Sequence, residues 1–261
     1  MNIKYVYILI IFLYTALNIF ANPLKIKVFY YDRPPYYGNV NGKPEGVLVD
    51  IAKEIFDEAG IKYEFVDTPS IRVLETLKIP ENSCALGWFK TKEREAIYTY
   101  SDDFIYQDKP YSIINNKKRK VLSENPKIKE ILESRLVLGM VERYVYGEWL
   151  NENILKFKPK TNRTNIGENS NLMYKLMILG NRFDYMFAGM EESSYAIKNN
   201  PQYRKKLSVV QIADAPNGSM RYILFSKGVD KTILEKINVA IKKVKTTDKY
   251  KQIILKEKTE D

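Results

Sequence analysis

The stretch Gly46-Val47-Leu48-Val49-Asp50-Ile51-Ala52-Lys53-Glu54-Ile55-Phe56-Asp57-Glu58-Ala59-Gly60-Ile61-Lys62-Tyr63-Glu64-Phe65 changes its period partway along. Up to Ala59, the apolar residues Leu48, Ile51, Ala52, Ile55, Phe56 and Ala59 recur at the three-and-four spacing of one helix face, and Gly60 suits a helix end. From Ile61 the period falls to two. Ile61, Tyr63 and Phe65 alternate with Lys62 and Glu64, which predicts a strand. Upstream, Ile26 to Tyr30 is apolar and β-branched and reads as a buried strand. It ends in the stiff loop Tyr31-Asp32-Arg33-Pro34-Pro35-Tyr36-Tyr37, where proline denies regular pairing, and Asn41-Gly42 marks a turn. Downstream, Thr68-Pro69 predicts a helix start as cap and first residue, with Ile71, Leu74 and Leu77 facing inward. Cys84 to Phe89 reads as a third strand. The order β-α-β-α-β predicts a largely parallel sheet covered by helices.

The second half repeats this logic. Strands are expected at Arg135 to Met140, Asp184 to Ala188 and Tyr222 to Phe225. Helices are expected at Tyr144 to Leu150, from the Asn169-Ser170 cap to the Gly180 stop, over Ile233 to Val244 and around Tyr250 to Ile254. Two α/β units suggest two lobes, and clefts between lobes are where ligands usually bind.

Composition narrows the chemistry. The 261 residues carry 42 Lys+Arg against 32 Asp+Glu, a net charge of +10, no histidine and one cysteine. Ser-His-Asp and Cys-His catalysis and His-ligated metals are therefore excluded, as are an internal disulfide and a Cys-rich metal site. No cofactor is implied. Cys84 sits in an apolar run and reads as a small buried hydrophobe. Residues 1–21 open with Lys4, continue with the uncharged run Tyr5 to Phe20, and offer Ala21 for cleavage. They read as a secretory signal peptide, since the run is shorter than the roughly 20 residues of a spanning helix. No cysteine follows to carry a lipid anchor. The basic excess invites a nucleic-acid partner, but export and the solvated lysines Lys231, Lys236, Lys242, Lys243 and Lys245 on one helix argue against it.

Four segments in order carry a resemblance: Pro34-Pro35-Tyr36, Gly46-Val47-Leu48-Val49-Asp50-Ile51-Ala52, Thr91-Lys92-Glu93-Arg94 and Tyr100-Ser101-Asp102. They resemble the extracytoplasmic solute-binding proteins of polar amino acid ABC importers, family 3. The resemblance covers essentially the mature chain, strongly over residues 26–112. It implies an α/β, two-lobed, periplasmic-binding-protein-like clamshell of type II, each lobe a mostly parallel sheet flanked by helices. Lobe 1 would comprise residues 22–106 and 219–261, and lobe 2 residues 107–218, with crossings near Tyr106-Gln107 and Ser219-Met220. It further implies a monomeric periplasmic receptor for a carboxylate-bearing small-molecule solute, possibly an amino acid, with a membrane ABC permease as partner.

Carried over by position, the matching arginine of that family grips the ligand carboxylate, which makes Arg94 the expected anion site. A helix start and an arginine fork both suit a carboxylate. The plain alternative is a surface pair with Glu75, Glu93 or Glu95. Thr91, Gly87, Trp88, Phe89 and Tyr36 complete the first-lobe side of the expected site. Asp50 and Gly46 are expected to be architectural, Asp50 as a buried carboxylate capping backbone. Departures are equally plain. Gly87, Trp88 and Phe89 stand where hydroxyl residues are usual. Arg33 replaces an aromatic residue and is expected to meet a second anionic group or stack on Trp88. Gly189 stands where the ammonium-binding aspartate belongs, which leaves Glu191 or Glu192 to approach the cleft instead, while Asp184 is expected to tie down its strand. The second-lobe loop Gly139-Met140-Val141-Glu142-Arg143 offers Glu142. A carboxylate-acting lyase or dehydratase on the same fold is the enzyme alternative, with Glu142 and Glu191 as its acid–base candidates. A secreted sensing module is the third.

Overall fold

The structure is a computed structural model and describes residues 25–119, 123–142, 146–165, 170–179 and 182–259. The leader expected over residues 1–21, Asn169 and Gly180 lie outside them. The chain opens with β1 (Lys25–Tyr30), the hairpin β2 (Gly38–Val40) and β3 (Lys43–Glu45), α1 (Val47–Ala59), β4 (Lys62–Asp67), α2 (Ser70–Leu77), β5 (Ser83–Trp88), α3 (Lys92–Ile97) and β6 (Thr99–Tyr100). It continues with β7 (Tyr106–Gln107), β8 (Tyr111–Asn116), α4 (Ile128–Leu132), β9 (Leu138–Val141), α5 (Glu148–Phe157), β10 (Thr161–Thr164) and α6 (Ser170–Leu179). It closes with β11 (Tyr185–Gly189), α7 (Met190–Asn199), α8 (Pro201–Lys206), β12 (Leu207–Gln211), β13 (Met220–Phe225), α9 (Lys231–Val244) and α10 (Asp248–Thr259).

Two sheets organise these elements, one per lobe. The first runs β4-β1-β5-β13-β6 and the second β10-β9-β11-β8-β12. Each is mixed. The βαβ units supply the parallel neighbours of β1 and of β9, as the alternation of period predicts, whereas β13 and β8 enter antiparallel. These two are the strands next to the crossings, where the chain arrives from the other lobe rather than through a helix. The first sheet is covered on both faces. Ile51, Ile55 and Phe56 of α1 meet Ile237 and Ile241 of α9 and Ile26 and Val28 of β1, while Phe29, Val73, Leu77 and Leu224 fill the other side. The second sheet likewise has a separate apolar cluster on each face, one around Leu138 and Leu150, the other around Met173 and Phe183.

Local chemistry explains where elements begin. Gly46 precedes α1 with φ 122°, and a Cβ there would meet the Tyr36 carbonyl at 2.6 Å. The close approach lets Val47 and Leu48 donate to the Pro35 and Tyr36 carbonyls at 3.1 and 2.9 Å. Those bonds satisfy the helix start, so no carboxylate cap is needed. Asp50 is accordingly exposed, 3.5 Å from Lys53, and not the buried cap expected of it. Helix α2 starts one residue later than Thr68-Pro69 predicts, which turns Ile71 outward (85% exposed) and puts Val73 with Leu77 in the core. Helix α5 starts at Glu148, behind Gly147 at φ 89°, and Tyr144, where its start was expected, lies outside the described residues. Cys84 is fully buried, and burial pushes its thiol up, so it packs as a hydrophobe.

Candidate functional site

Between the lobes lies a cavity of about 680 Å³. Its first-lobe wall comes from the β1–β2 loop (Tyr31, Arg33, Pro34), Ser70 and Phe89; its second-lobe wall comes from β9, β11 and the helices packed on them; Asp108 and Arg221 sit at the crossings.

Arg33 is held by its own turn, since its N–H donates to the Tyr37 carbonyl and its carbonyl accepts from Tyr36. Its side chain reaches across the cleft. Nε and Nη2 donate to the two oxygens of Glu192 at 2.8 and 2.9 Å, a fork-on-carboxylate pair. Glu192 lies in the first turn of α7, where the helix dipole favours an anion. Burial opposes ionisation of Glu192, but the charge and bonds of Arg33, with Arg221 beyond, outweigh it and hold the carboxyl below its ordinary value. Glu191 is buried behind this pair. It accepts from the Lys109 N–H at 2.6 Å and the Tyr106 hydroxyl at 3.1 Å, with the Tyr36 hydroxyl at 3.5 Å. Burial, reinforced by Asp108, pushes the Tyr36 phenol well up, so it stays a donor. Gly189 faces both glutamates: a Cβ there would lie 3.6 Å from Glu192 Oε2 and 3.9 Å from Glu191 Oε2. The two glutamates thus bring their carboxylates to the place beside Gly189.

Arg221 forms the floor. It is 2% exposed, its Nε pairs with Asp108, and its Nη1 donates to the Gly87 carbonyl at 3.0 Å. Its guanidinium lies 4.0 Å from the Tyr36 ring centre and 4.7 Å from that of Phe89. Burial pushes the Asp108 carboxyl up to about 6, against the pull of Arg221. Neither residue stands out in the sequence reading. The signal that was there is one of phase: in β13 the apolar Met220 is 43% exposed and the charged Arg221 is buried, an inversion next to a crossing.

The expected site residues separate into groups. Arg33 and Phe89 line the cavity, as does Glu192. Tyr36, Gly87 and Glu191 lie directly behind it, through Arg221 and the bonds above. Arg94 does not line it. It is half-buried, donates through Nη1 to the Phe89 carbonyl at 3.1 Å, and lies 4.9 Å from the Trp88 ring centre, so Trp88 stacks with Arg94 and not with Arg33. The Tyr100 hydroxyl donates to the same Phe89 carbonyl at 2.7 Å. Thr91 caps α3, accepting from the Arg94 N–H at 3.3 Å. Glu142 is exposed and does not itself line the cavity, although its neighbour Val141 does. Asp184 ties strands together, accepting from the Val137 N–H at 2.8 Å. Among the described residues no cluster of His, Cys, Asp or Glu is arranged to hold a metal.

A family model described as bacterial extracellular solute-binding proteins, family 3, matches residues 26–257. The chain belongs to that family. Its fold is that of a solute-binding protein, and members of family 3 are typically extracytoplasmic. Among curated proteins none matches the chain. Solved structures do. An ancestral arginine-binding protein bound to arginine superposes with a TM-score of 0.67 at 19% identity, over 89% of this chain and 97% of its own. An ancestral amino acid-binding protein, described as a precursor of cyclohexadienyl dehydratase, gives 0.64 at 20%, over 89% and 94%. Substrate binding domain 2 of Lactococcus lactis GlnP, in an open conformation, gives 0.66 at 14%, over 90% and 96%. These likenesses establish the two-lobed fold of this family 3 member. No described helix is long and apolar enough to cross a membrane.

Proposed function

We propose that this protein is an exported, monomeric receptor that closes on a small carboxylate-bearing solute, an amino acid or a relative of one, and delivers it to a membrane ABC permease. In this reading lobe 1 comprises residues 22–106 and 219–261, lobe 2 comprises residues 107–218, and the leader is removed on export to the periplasm. Nucleic acid has no part in it. The observation that carries the reading is the 680 Å³ cavity walled by both lobes and bridged by Arg33 and Glu192. A site made half by each lobe forms only on closure, so a ligand touching both walls favours the closed state by its differential contacts. The experiment is mass spectrometry of small molecules released from the purified protein on denaturation, followed by calorimetry with whatever is released. A defined carboxylate that binds one-to-one is expected; a protein that releases nothing and binds no amino or carboxylic acid overturns the reading.

A second reading, a lyase acting on a carboxylate, draws on Asp108, whose carboxyl is pushed up to about 6 beside the cavity. Its commitment to Arg221 favours binding over proton transfer. Proton NMR of the identified solute incubated with the protein separates the two, because a receptor leaves the spectrum unchanged.

A further inference from the structure

The charged groups around the cavity are already matched to each other. Of the three carboxylates that line it, Asp108 faces Arg221 and Glu192 faces Arg33, both pairs largely shielded from water. The third, Asp32, is exposed at the mouth, where water weakens any ion pair. No shielded carboxylate at the wall is thus left to receive an ammonium group. On the cationic side the buried group at the wall is Arg221. It commits Nε to Asp108 and Nη1 to the Gly87 carbonyl. Arg221 lines the cavity, so a carboxylate placed there would meet its guanidinium. Uncharged polar groups also line it, among them Ser70, Asn199 and Asn200, but one stretch of the wall is apolar and aromatic. In the second lobe Leu150, Met173, Tyr174, Met186 and Phe187, all buried, face the space, and Phe89 closes it from the first lobe. Thioether and aromatic surfaces of this kind adapt to flat, polarisable bodies.

We infer that the cleft takes a carboxylate with an apolar, ring-bearing body and no ammonium group, its head on Arg221 and its body against the Met173–Phe187 wall. The inference rests on the receptor reading above and narrows the solute class within it. The Arg33–Glu192 pair then stands where an amino acid would bring its own two charges, and joins the lobes without them. Recognition passes to the buried arginine and to the shape and polarisability of the wall.

The test is a panel measured by thermal shift and calorimetry on the purified protein: 3-phenylpropionate, its neutral amide 3-phenylpropanamide, L-phenylalanine, L-arginine, L-glutamine and acetate. 3-Phenylpropionate is expected to raise the melting midpoint and to bind at least tenfold more tightly than every other member. The double variant Arg221→Met/Asp108→Asn removes both charges together, so no orphan charge is left buried; it is expected to lose the preference for acid over amide while keeping the amide's affinity. Equal binding of acid and amide to the unaltered protein, or a preference that survives in the double variant, overturns the role of Arg221. Tighter binding of phenylalanine, arginine or glutamine overturns the ammonium-free class and leaves the receptor reading standing. If no compound binds and no solute is released on denaturation, both fall. Should the double variant not fold, the acid–amide comparison on the unaltered protein still decides.

Discussion

At the scale of single residues, Arg94 sits on a motif but does not itself line the cavity. Its guanidinium holds the Phe89 carbonyl and stacks on Trp88, and the Phe89 ring in turn covers Arg221. Its reach to the cleft floor therefore runs through Phe89. Arg94→Ala is expected to weaken solute binding about tenfold, the cost of one charge-assisted bond, while Arg94→Lys recovers most of the loss; a lysine variant as weak as the alanine variant would indicate direct contact by the fork. Asp108 gives a second residue-scale prediction. Its carboxyl sits near 6 in the folded chain and at 3.8 in the unfolded one, so the folded state binds the proton more tightly. Stability from this group is therefore highest below about pH 4 and falls as pH rises to about 6, by about 2–3 kcal/mol. Asp108→Asn should flatten that part of the stability–pH curve in urea titrations. An unchanged slope would mean that Arg221 cancels the burial in full.

At the scale of elements, the fold was legible wherever the period was strong. The turnover from a 3.6 to a 2.0 repeat at Gly60 places the end of α1 and the start of β4 within a residue of their observed positions, because α1 buries one face on the sheet of which β4 is an edge strand. Phe56 is 0% exposed there, and Phe56→Ala should cost about 3–5 kcal/mol in denaturant midpoint analysis, a core truncation. Short elements were less legible. The start of α2 slipped by one residue, enough to move Ile71 from the core to the surface, because Pro69 could be read equally as cap or first residue. Asp50 was misread for another reason: the groups that satisfy the start of α1 are the carbonyls of Pro35 and Tyr36, each twelve residues before the N–H it accepts from and invisible to any local pattern. The site shows the same divide. Arg33 and Phe89 sit on motifs and reach the cavity, whereas Arg221 and Asp108 meet only through the pairing of two distant strands.

At the scale of the whole molecule, the lobes hold each other through Arg33 and Glu192. The Arg33–Glu192 bridge keeps the Glu192 carboxyl below its ordinary value, so its contribution is complete above the ordinary carboxylate range and is lost as pH falls through the lowered value. Small-angle scattering of the purified protein should therefore show a larger radius of gyration below about pH 4, and Glu192→Gln should show the same expansion at neutral pH. A radius of gyration that does not change in the variant would sink the idea that this pair bridges the lobes in solution.

The two crossings are themselves hydrogen-bonded. Met220 pairs with Gln107 and Arg221 with Tyr106, the Asp108 N–H donates to the Ser219 carbonyl at 3.0 Å, and Gly218 passes so close that a Cβ would meet the Asp108 backbone. Such a ribbon acts as a leaf spring and not as two independent pivots. Its hydrogen bonds oppose sliding of one crossing past the other, so the two crossings are expected to bend together. A membrane partner touching the outer surfaces of both lobes would then read a single angle, and anything that stiffens the ribbon would be felt at the far tips as a reduced stroke.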